Sequence, residues 1–352
     1  MKKKLTGVAL VLAAVSLMGI QPAEACTRAV YLGPDGMVVT GRTMDWKTDM
    51  HSNLWVFPRG MERNGETGKD SLKWKSKYGS IITSAFEIAS TDGMNEKGLV
   101  ANLLWLPEAQ YPARDKNKPG LAITIWVQYM LDNFATVEEA VSFINEDTFQ
   151  VVSDKMPDGS RLATLHLSIS DATGDCAIFE YIGGKLTVYH SKEYKVMTNS
   201  PTYNKQLALC EYWKSIGGLS FLPGTNRASD RFARASFYID AVLKTDDEKI
   251  AIACVFSVIR NASVPYGIST PESPEISTTQ WRTVSESKNL IYFFESSLTP
   301  NTFWVRLRDM DLSEGAPVLK LSIANGETYH GNTSKDFKPA QPFKFMGVKD
   351  LI

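Results

Sequence analysis

Cys26 stands directly after Ala23, Glu24 and Ala25, a small-x-small pattern at which signal peptides are cut. Cleavage there makes this cysteine the first residue of the mature chain. One residue then carries a thiol nucleophile and a free α-amine, which together form most of a hydrolase active site. The upstream segment has the matching layout: Lys2, Lys3 and Lys4, an apolar run from Leu5 to Ile20, and Pro22 before the cut. Residues 1–25 are therefore predicted to be a signal peptide, and residues 26–352 a single exported domain, periplasmic or secreted. Two alternatives use the same residues. An uncleaved anchor requires a span, and this run is short for one. A lipoprotein signal would acylate Cys26 and make the chain an exported, lipid-anchored binding protein, but Glu24 is unfavourable two residues before the modified cysteine.

Charge and composition remove several classes. Losing the first 25 residues takes away three lysines and one glutamate, so the formal charge becomes slightly more negative than −1. That near neutrality predicts no nucleic-acid partner, and no later apolar run is long enough to span a membrane. An apolar fraction of 43% with 11% aromatics supports a sizeable core. Cys26, Cys176, Cys210 and Cys254 are too few for a disulfide scaffold; Cys176 and Cys254 sit in apolar runs and read as buried residues. His51, His166, His190 and His330 are widely separated and no C-x-x-C occurs, so no metal site or cofactor is expected.

From Cys26 the pattern is β. Runs at 27–32 and 37–42 flank Gly33, Pro34, Asp35 and Gly36, which read as a hairpin turn. If Leu32 faces Met37, Cys26 falls opposite Thr43, with Asp45 two residues along on the same face; a slip of one favours Arg42 instead. Further strands are predicted at 54–58, 80–87, then 99–105 after a turn-rich stretch at 92–98, and at 163–170, 176–181 and 185–190. Four more are predicted at 281–286, 289–296, 302–308 and 317–323. Helices are predicted at 121–133, 136–146, 204–215, 230–243 and 247–259, the second opened by the capping-box pair Thr136 and Glu139. Strands and helices grouped without strict alternation predict an α+β layering, antiparallel sheets covered by helices.

A thiol with a pKa near 8.5 and an α-amine near 7.7–8.0 exchange a proton at a cost of only about 0.7–1.1 kcal/mol. Arg42, brought close by the hairpin, would stabilise the thiolate, and Asp45 would hold the amine by a charge-assisted hydrogen bond. Taken alone, an arginine and an aspartate three apart are an ordinary surface pair, and Asn199 before Pro201 is a turn residue. A papain-like alternative would need a histidine; His166, between Leu165 and Leu167, is the best placed, but no protease motif surrounds Cys26.

Five ordered motifs carry a resemblance: Cys26-Thr27, Gly41-Arg42-x-Met44-Asp45, Asp92-Gly93-Met94-Asn95-Glu96-Lys97-Gly98-Leu99, Thr198-Asn199-Ser200-Pro201, and Arg231-Phe232. Together they resemble the choloylglycine hydrolase family, which includes bile salt hydrolases and penicillin V acylases. The resemblance implies the N-terminal-nucleophile fold, a four-layer αββα sandwich with two stacked antiparallel sheets. It implies Cys26 as nucleophile, Arg42 as the arginine near the thiol, Asp45 as partner of the α-amine, Asn199 as an oxyanion donor and Arg231 as the distal arginine. The second oxyanion donor it implies is the backbone amide at Trp105, where many relatives carry a polar residue. Met44, Trp105 and Leu165 are candidate pocket residues by their places beside the motifs. The substrate class implied is a small-molecule amide with an apolar acyl group: glycine- or taurine-conjugated bile acids first, with penicillin V and N-acyl homoserine lactones as alternatives. The stretch between Asn199 and Arg231 is short, resembling the exported Gram-negative branch; a homo-oligomer is left open, without the tetramer contacts of longer forms.

Overall fold

The computed structural model describes residues 26–271 and 276–348; the predicted signal segment, 1–25, lies outside the described residues. Two large, mainly antiparallel sheets form the centre. The first runs in the order Val196–Met197, Thr27–Leu32 (β1), Val38–Trp46 (β2), Thr278–Glu286, Ile291–Ser296, Thr302–Arg306 and Gly331–Asn332. The second, of nine strands, has at its middle Leu165–Ser170, Val100–Trp105, Ala89–Asn95 and Ser80–Ala85. Apolar residues of both sheets, among them Val39, Val56, Ile81 and Leu104, share one core. The second core lies beyond the nine-stranded sheet, where Ile82, Leu103 and Phe179 meet the helices Trp126–Asn133 and Val137–Asn145. Helices Ala228–Ala241 and Glu248–Asn261 cover the other sheet, and Tyr203–Ile216 packs against the first of them. The expected α+β layering is present. No helix among the described residues is long and apolar enough to cross a membrane.

The hairpin that carries the site differs from expectation by one residue. Leu32 pairs with Val38 and Thr27 with Thr43, which places Cys26 opposite Met44 rather than Thr43 or Arg42. The cause is the turn. Gly33 and Met37 close the hairpin, leaving a three-residue loop in which Asp35 and Gly36 both take positive φ. Since side chains alternate along a strand, this register puts Cys26, Arg42, Met44 and Trp46 on the face toward the second sheet, and Thr27, Thr43 and Asp45 on the helix side.

Among the boundaries that moved, three have a clear cause. The segment 92–98 is not a turn from its start, because Asp92 to Asn95 complete the strand Ala89–Asn95. Asp, Gly and Asn disfavour strands, yet here Gly93 lets Ile82 and Leu131 approach and Asp92 is hydrogen-bonded across the sheet to Asn102. The strand expected at 80–87 stops at Ala85, after which Phe86 and Glu87 reverse the chain at positive φ. The helix expected from 121 begins at Trp126, because Gly120–Ala122 pairs instead with Gln150–Val152. Half of the capping box is formed: Thr136 Oγ1 accepts from Glu139 N at 3.2 Å, while Glu139 Oε2 accepts from Ala135 N, one residue before the cap, at 2.8 Å. All four cysteines are free; Cys176 is buried as expected, but Cys254 is only half-buried on its helix.

Gly41 shows why one motif position is glycine. Helix Glu248–Asn261 crosses β2 so closely that a Cβ there would lie 2.5 Å from Val255 Cγ1 and 2.8 Å from Ile259 Cγ2. Gly41→Ala is expected to lower unfolding free energy by about 1–3 kcal/mol through overpacking. Urea denaturation checks this; an unchanged midpoint would mean the helix shifts without cost.

Candidate active site

Cys26 lies at the start of β1, its thiol bracketed by β2. Asp45 N donates to Cys26 Sγ at 3.4 Å, and the thiol faces the Asp45 carbonyl at 3.7 Å. Arg42 is fully buried beside it. Its guanidinium donates through Nη1 to Thr91 O at 2.7 Å and through Nη2 to Leu103 O at 3.0 Å, and reaches Cys26 Sγ at 3.9 Å. It also lies over the Trp281 ring, 5.0 Å from the centroid. Asp92 Oδ2 stands 3.8 Å from Nη1 and is held by Asn102 and, through Oδ1, by the Tyr292 hydroxyl. These contacts fix where the positive charge sits. Burial nevertheless dominates at the sulfur: it raises the thiol pKa above its ordinary value, and Arg42 offsets this only in part.

On the helix side, Arg231 from helix Ala228–Ala241 enters the same point. Its Nη1 donates to the Cys26 carbonyl at 2.7 Å and to Thr27 Oγ1 at 2.5 Å, and its Nη2 donates to Asn199 Oδ1 at 3.0 Å. The same Asn199 oxygen accepts from Cys26 N at 2.5 Å, the atom that becomes the α-amine on cleavage. Asn199 Nδ2 donates to the Trp105 carbonyl at 2.8 Å. Asp45 is buried, accepts from Thr43 Oγ1 at 3.1 Å, and leaves Oδ1 without a hydrogen-bond partner. Burial pushes its carboxyl up to about 6 against the opposing pull of the Arg231 charge.

Trp105 closes the group. Leu106 N donates to Thr164 O, and Trp105 pairs with Leu165 in the same antiparallel register. Adjacent residues of such a strand point their amides to opposite sides, so the Trp105 N–H and C=O face away from Leu165. They face the side where Asn199 takes the Trp105 carbonyl and Arg42 the Leu103 carbonyl.

Beside the thiol opens a cavity of about 840 Å³ counting its mouth, with an almost wholly apolar wall. Met44, Trp105 and Leu165 all line it. So do Trp46, Met50, Phe86 and Met156, and also the C-terminal stretch Met346 to Val348, none of which any motif signals. Trp46 follows from period two along β2; the others come from loops whose approach no local pattern encodes. The Trp46 and Trp105 rings stand 5.5 Å apart at 54°. His166 is elsewhere: it points to the other side of its strand, its Nδ1 2.9 Å from Glu180 Oε1, and does not line this cavity. The papain-like alternative therefore lacks its base.

A fold of two stacked sheets between helices, with a buried cysteine at the head of the first strand, defines a class of linear amide hydrolase. Residues 26–320 match the model of linear amide C–N hydrolases, choloylglycine hydrolase family, and the chain belongs to that family. It is 49% identical over 369 residues to a penicillin V acylase of Pectobacterium atrosepticum, with 98% of each chain covered. It is 56% identical to the solved penicillin V acylase of Agrobacterium tumefaciens, at a TM-score of 0.86 over 92% of this chain and 100% of that one. A bile salt hydrolase/transferase of Clostridium perfringens is 26% identical over 77% of this chain and 89% of its own. The solved conjugated bile acid hydrolase of that organism, at 23% identity and a TM-score of 0.73, shares the fold.

Proposed function

We propose that the chain is an exported acylase that hydrolyses the side-chain amide of penicillin V, using Cys26 as an N-terminal nucleophile. The observation that carries this is the apolar, tryptophan-walled cavity that ends at Cys26 Sγ, which suits an aryloxyacetyl group. Conjugated bile acids, placed first on resemblance, give way because the relatives at 49% and 56% identity are penicillin V acylases.

We infer the following steps, which the geometry supports. Signal removal before Cys26 turns its amide into an amine, leaving the mature protein outside the cytoplasm. The thiol gives its proton to that amine, and Asp45, with one carboxylate oxygen unpartnered, stabilises the ammonium. Sulfur attacks the carbonyl carbon, and the electron pair moves onto oxygen. The Trp105 N–H and the second N–H of Asn199 donate to that oxygen, while Arg231 holds Asn199 and the Cys26 carbonyl in place. The C–N bond breaks as the ammonium returns its proton to the leaving nitrogen. Water, deprotonated by the same amine, then cleaves the thioester and restores the thiol.

The test is exported protein whose intact mass begins at unmodified Cys26, assayed for amine release from penicillin V, glycocholate, taurocholate and an N-acyl homoserine lactone. Penicillin V is expected to give the highest kcat/KM. A higher value on glycocholate would reverse the substrate choice, and a diacylglyceryl adduct on Cys26 would remove the mechanism.

A further inference from the structure

The cavity opens where two neighbouring strands part. Ala89–Asn95 and Val100–Trp105 pair only as far as Asp92 opposite Asn102, and beyond that point Arg42 stands between them, donating to the Thr91 and Leu103 carbonyls. One lip of the opening carries Leu103 and Trp105, where Asn199 joins the Trp105 carbonyl to Cys26 N. The other lip carries Ala89 and Thr91, and a strap from the C-terminal part of the chain, 343–348, is tied to it. Met346 N donates to the Ile88 carbonyl at 2.9 Å, the Met346 carbonyl accepts from Thr124 Oγ1 at 2.7 Å, and Val348 N donates to the Glu66 carbonyl at 2.9 Å. Phe343 and Phe345, with ring centroids 4.7 Å apart, and Val348 pack in the second core, while Met346 lines the cavity. A Cβ on Gly347 would lie 2.8 Å from the Glu66 carbonyl oxygen, so glycine lets the strap lie this close. Anchors on both sides of Met346 thus hold it in the cavity wall.

We propose that this strap is the acyl gauge of the site: Met346, across the opening from Trp105, sets how long an acyl group the cavity accepts. The inference rests on the acylase reading above, in which the acyl half enters this cavity. The proposed steps use Cys26, Arg42, Asp45, Asn199 and Arg231, all inside the stretch 26–320 that matches the family, whereas the strap follows it. Bond cleavage and acyl choice are then carried by separate parts of the chain. An unbranched thioether fills irregular apolar space and packs well against aromatic rings, which suits the aryl end of an aryloxyacetyl group. Met346 meets the acyl group away from the carbonyl under attack, so it discriminates between acyl groups without touching the groups around Cys26.

Two amides of 6-aminopenicillanic acid that differ only in length isolate the gauge: phenoxyacetyl against 4-butylphenoxyacetyl. The wild-type enzyme is expected to favour the shorter one in kcat/KM. Met346→Ala removes the side chain beyond Cβ and should raise the long-to-short ratio by about tenfold or more, since one methylene in an apolar pocket is worth about that much. Met346→Leu, close in volume, should keep the ratio within about twofold. An equal loss on both amides in Met346→Ala assigns Met346 to holding the strap and overturns the gauge. So does a ratio unchanged from wild type. The free acids, phenoxyacetate and 4-butylphenoxyacetate, put the same question without catalysis when titrated calorimetrically into wild type and Met346→Ala. Higher turnover of glycocholate than of penicillin V would remove the penicillin V reading, and the gauge would then be judged on this binding ratio: a rise of about tenfold in the variant supports it, and an unchanged ratio overturns it.

Discussion

Cys26→Ser is expected to lower kcat on penicillin V by on the order of 10³-fold or more, with the protein still folded. The exchange conserves shape and changes acidity. A serine hydroxyl ionises far less readily than a thiol, so an α-amine of ordinary basicity no longer takes its proton. The site supplies little compensation: burial already raises the pKa at this position, and Arg42, 3.9 Å from the sulfur, has most of its hydrogen-bonding capacity spent on backbone carbonyls. In the proposed mechanism the thiol would thus be a nucleophile made on demand by proton transfer to its own amine. Amine-release assays and a thermal melt check this together. Mass spectrometry of the wild type quenched early in turnover should add one acyl group to the N-terminal peptide. Normal turnover by the serine variant, or an acyl group on half-buried Cys254 instead, would remove Cys26 from the nucleophile's role.

The hairpin shows how far local pattern reaches. Alternation of apolar residues and the Gly-Pro-Asp-Gly turn were enough to bring Arg42 and Asp45 to Cys26. They did not set the register, because that depends on whether Gly33 and Met37 close a three-residue loop, a choice made by backbone geometry at Asp35 and Gly36. One residue decides the chemistry here. It separates Arg42, on the cavity face with the thiol, from Asp45, on the helix side with Arg231. Asn199 was legible only as a motif position. Its approach to Cys26 spans 173 residues and rests on Arg231, which a helix entering from the far side delivers. The strand through Asp92 was hidden for a different reason. Its residues disfavour strands locally, and the buried partners Asn102 and Tyr292 override that preference. Pocket walls were the least legible part, since Met156 and Met346 arrive on loops.

The largest effect away from the nucleophile is expected at Asp45. Asp45→Asn keeps the volume and an oxygen to accept from Thr43 Oγ1, and replaces the charge and the second acceptor oxygen with a neutral amide. In the chain with Cys26 N in a peptide bond, Oδ1 has no partner and burial holds the carboxyl at about 6. In the proposed mechanism the newly formed ammonium would supply that partner. Being positive, it draws the Asp45 pKa back down, and the carboxylate in turn favours the protonated amine. On that mechanism the thiolate–ammonium pair formed on proton transfer would be stabilised by a charge in place beforehand. Without it, kcat is expected to fall on the order of 10²–10⁴-fold, with KM changed far less, since Asp45 does not line the cavity. The sign of the pH dependence follows. The neutral acid gives no such stabilisation, so wild-type kcat should fall as pH drops through a value at or below about 6, and in Asp45→Asn that acid limb should be absent. A variant that melts like wild type, loses kcat and keeps the same acid limb would assign that limb to another group and leave Asp45 a structural charge for Arg231.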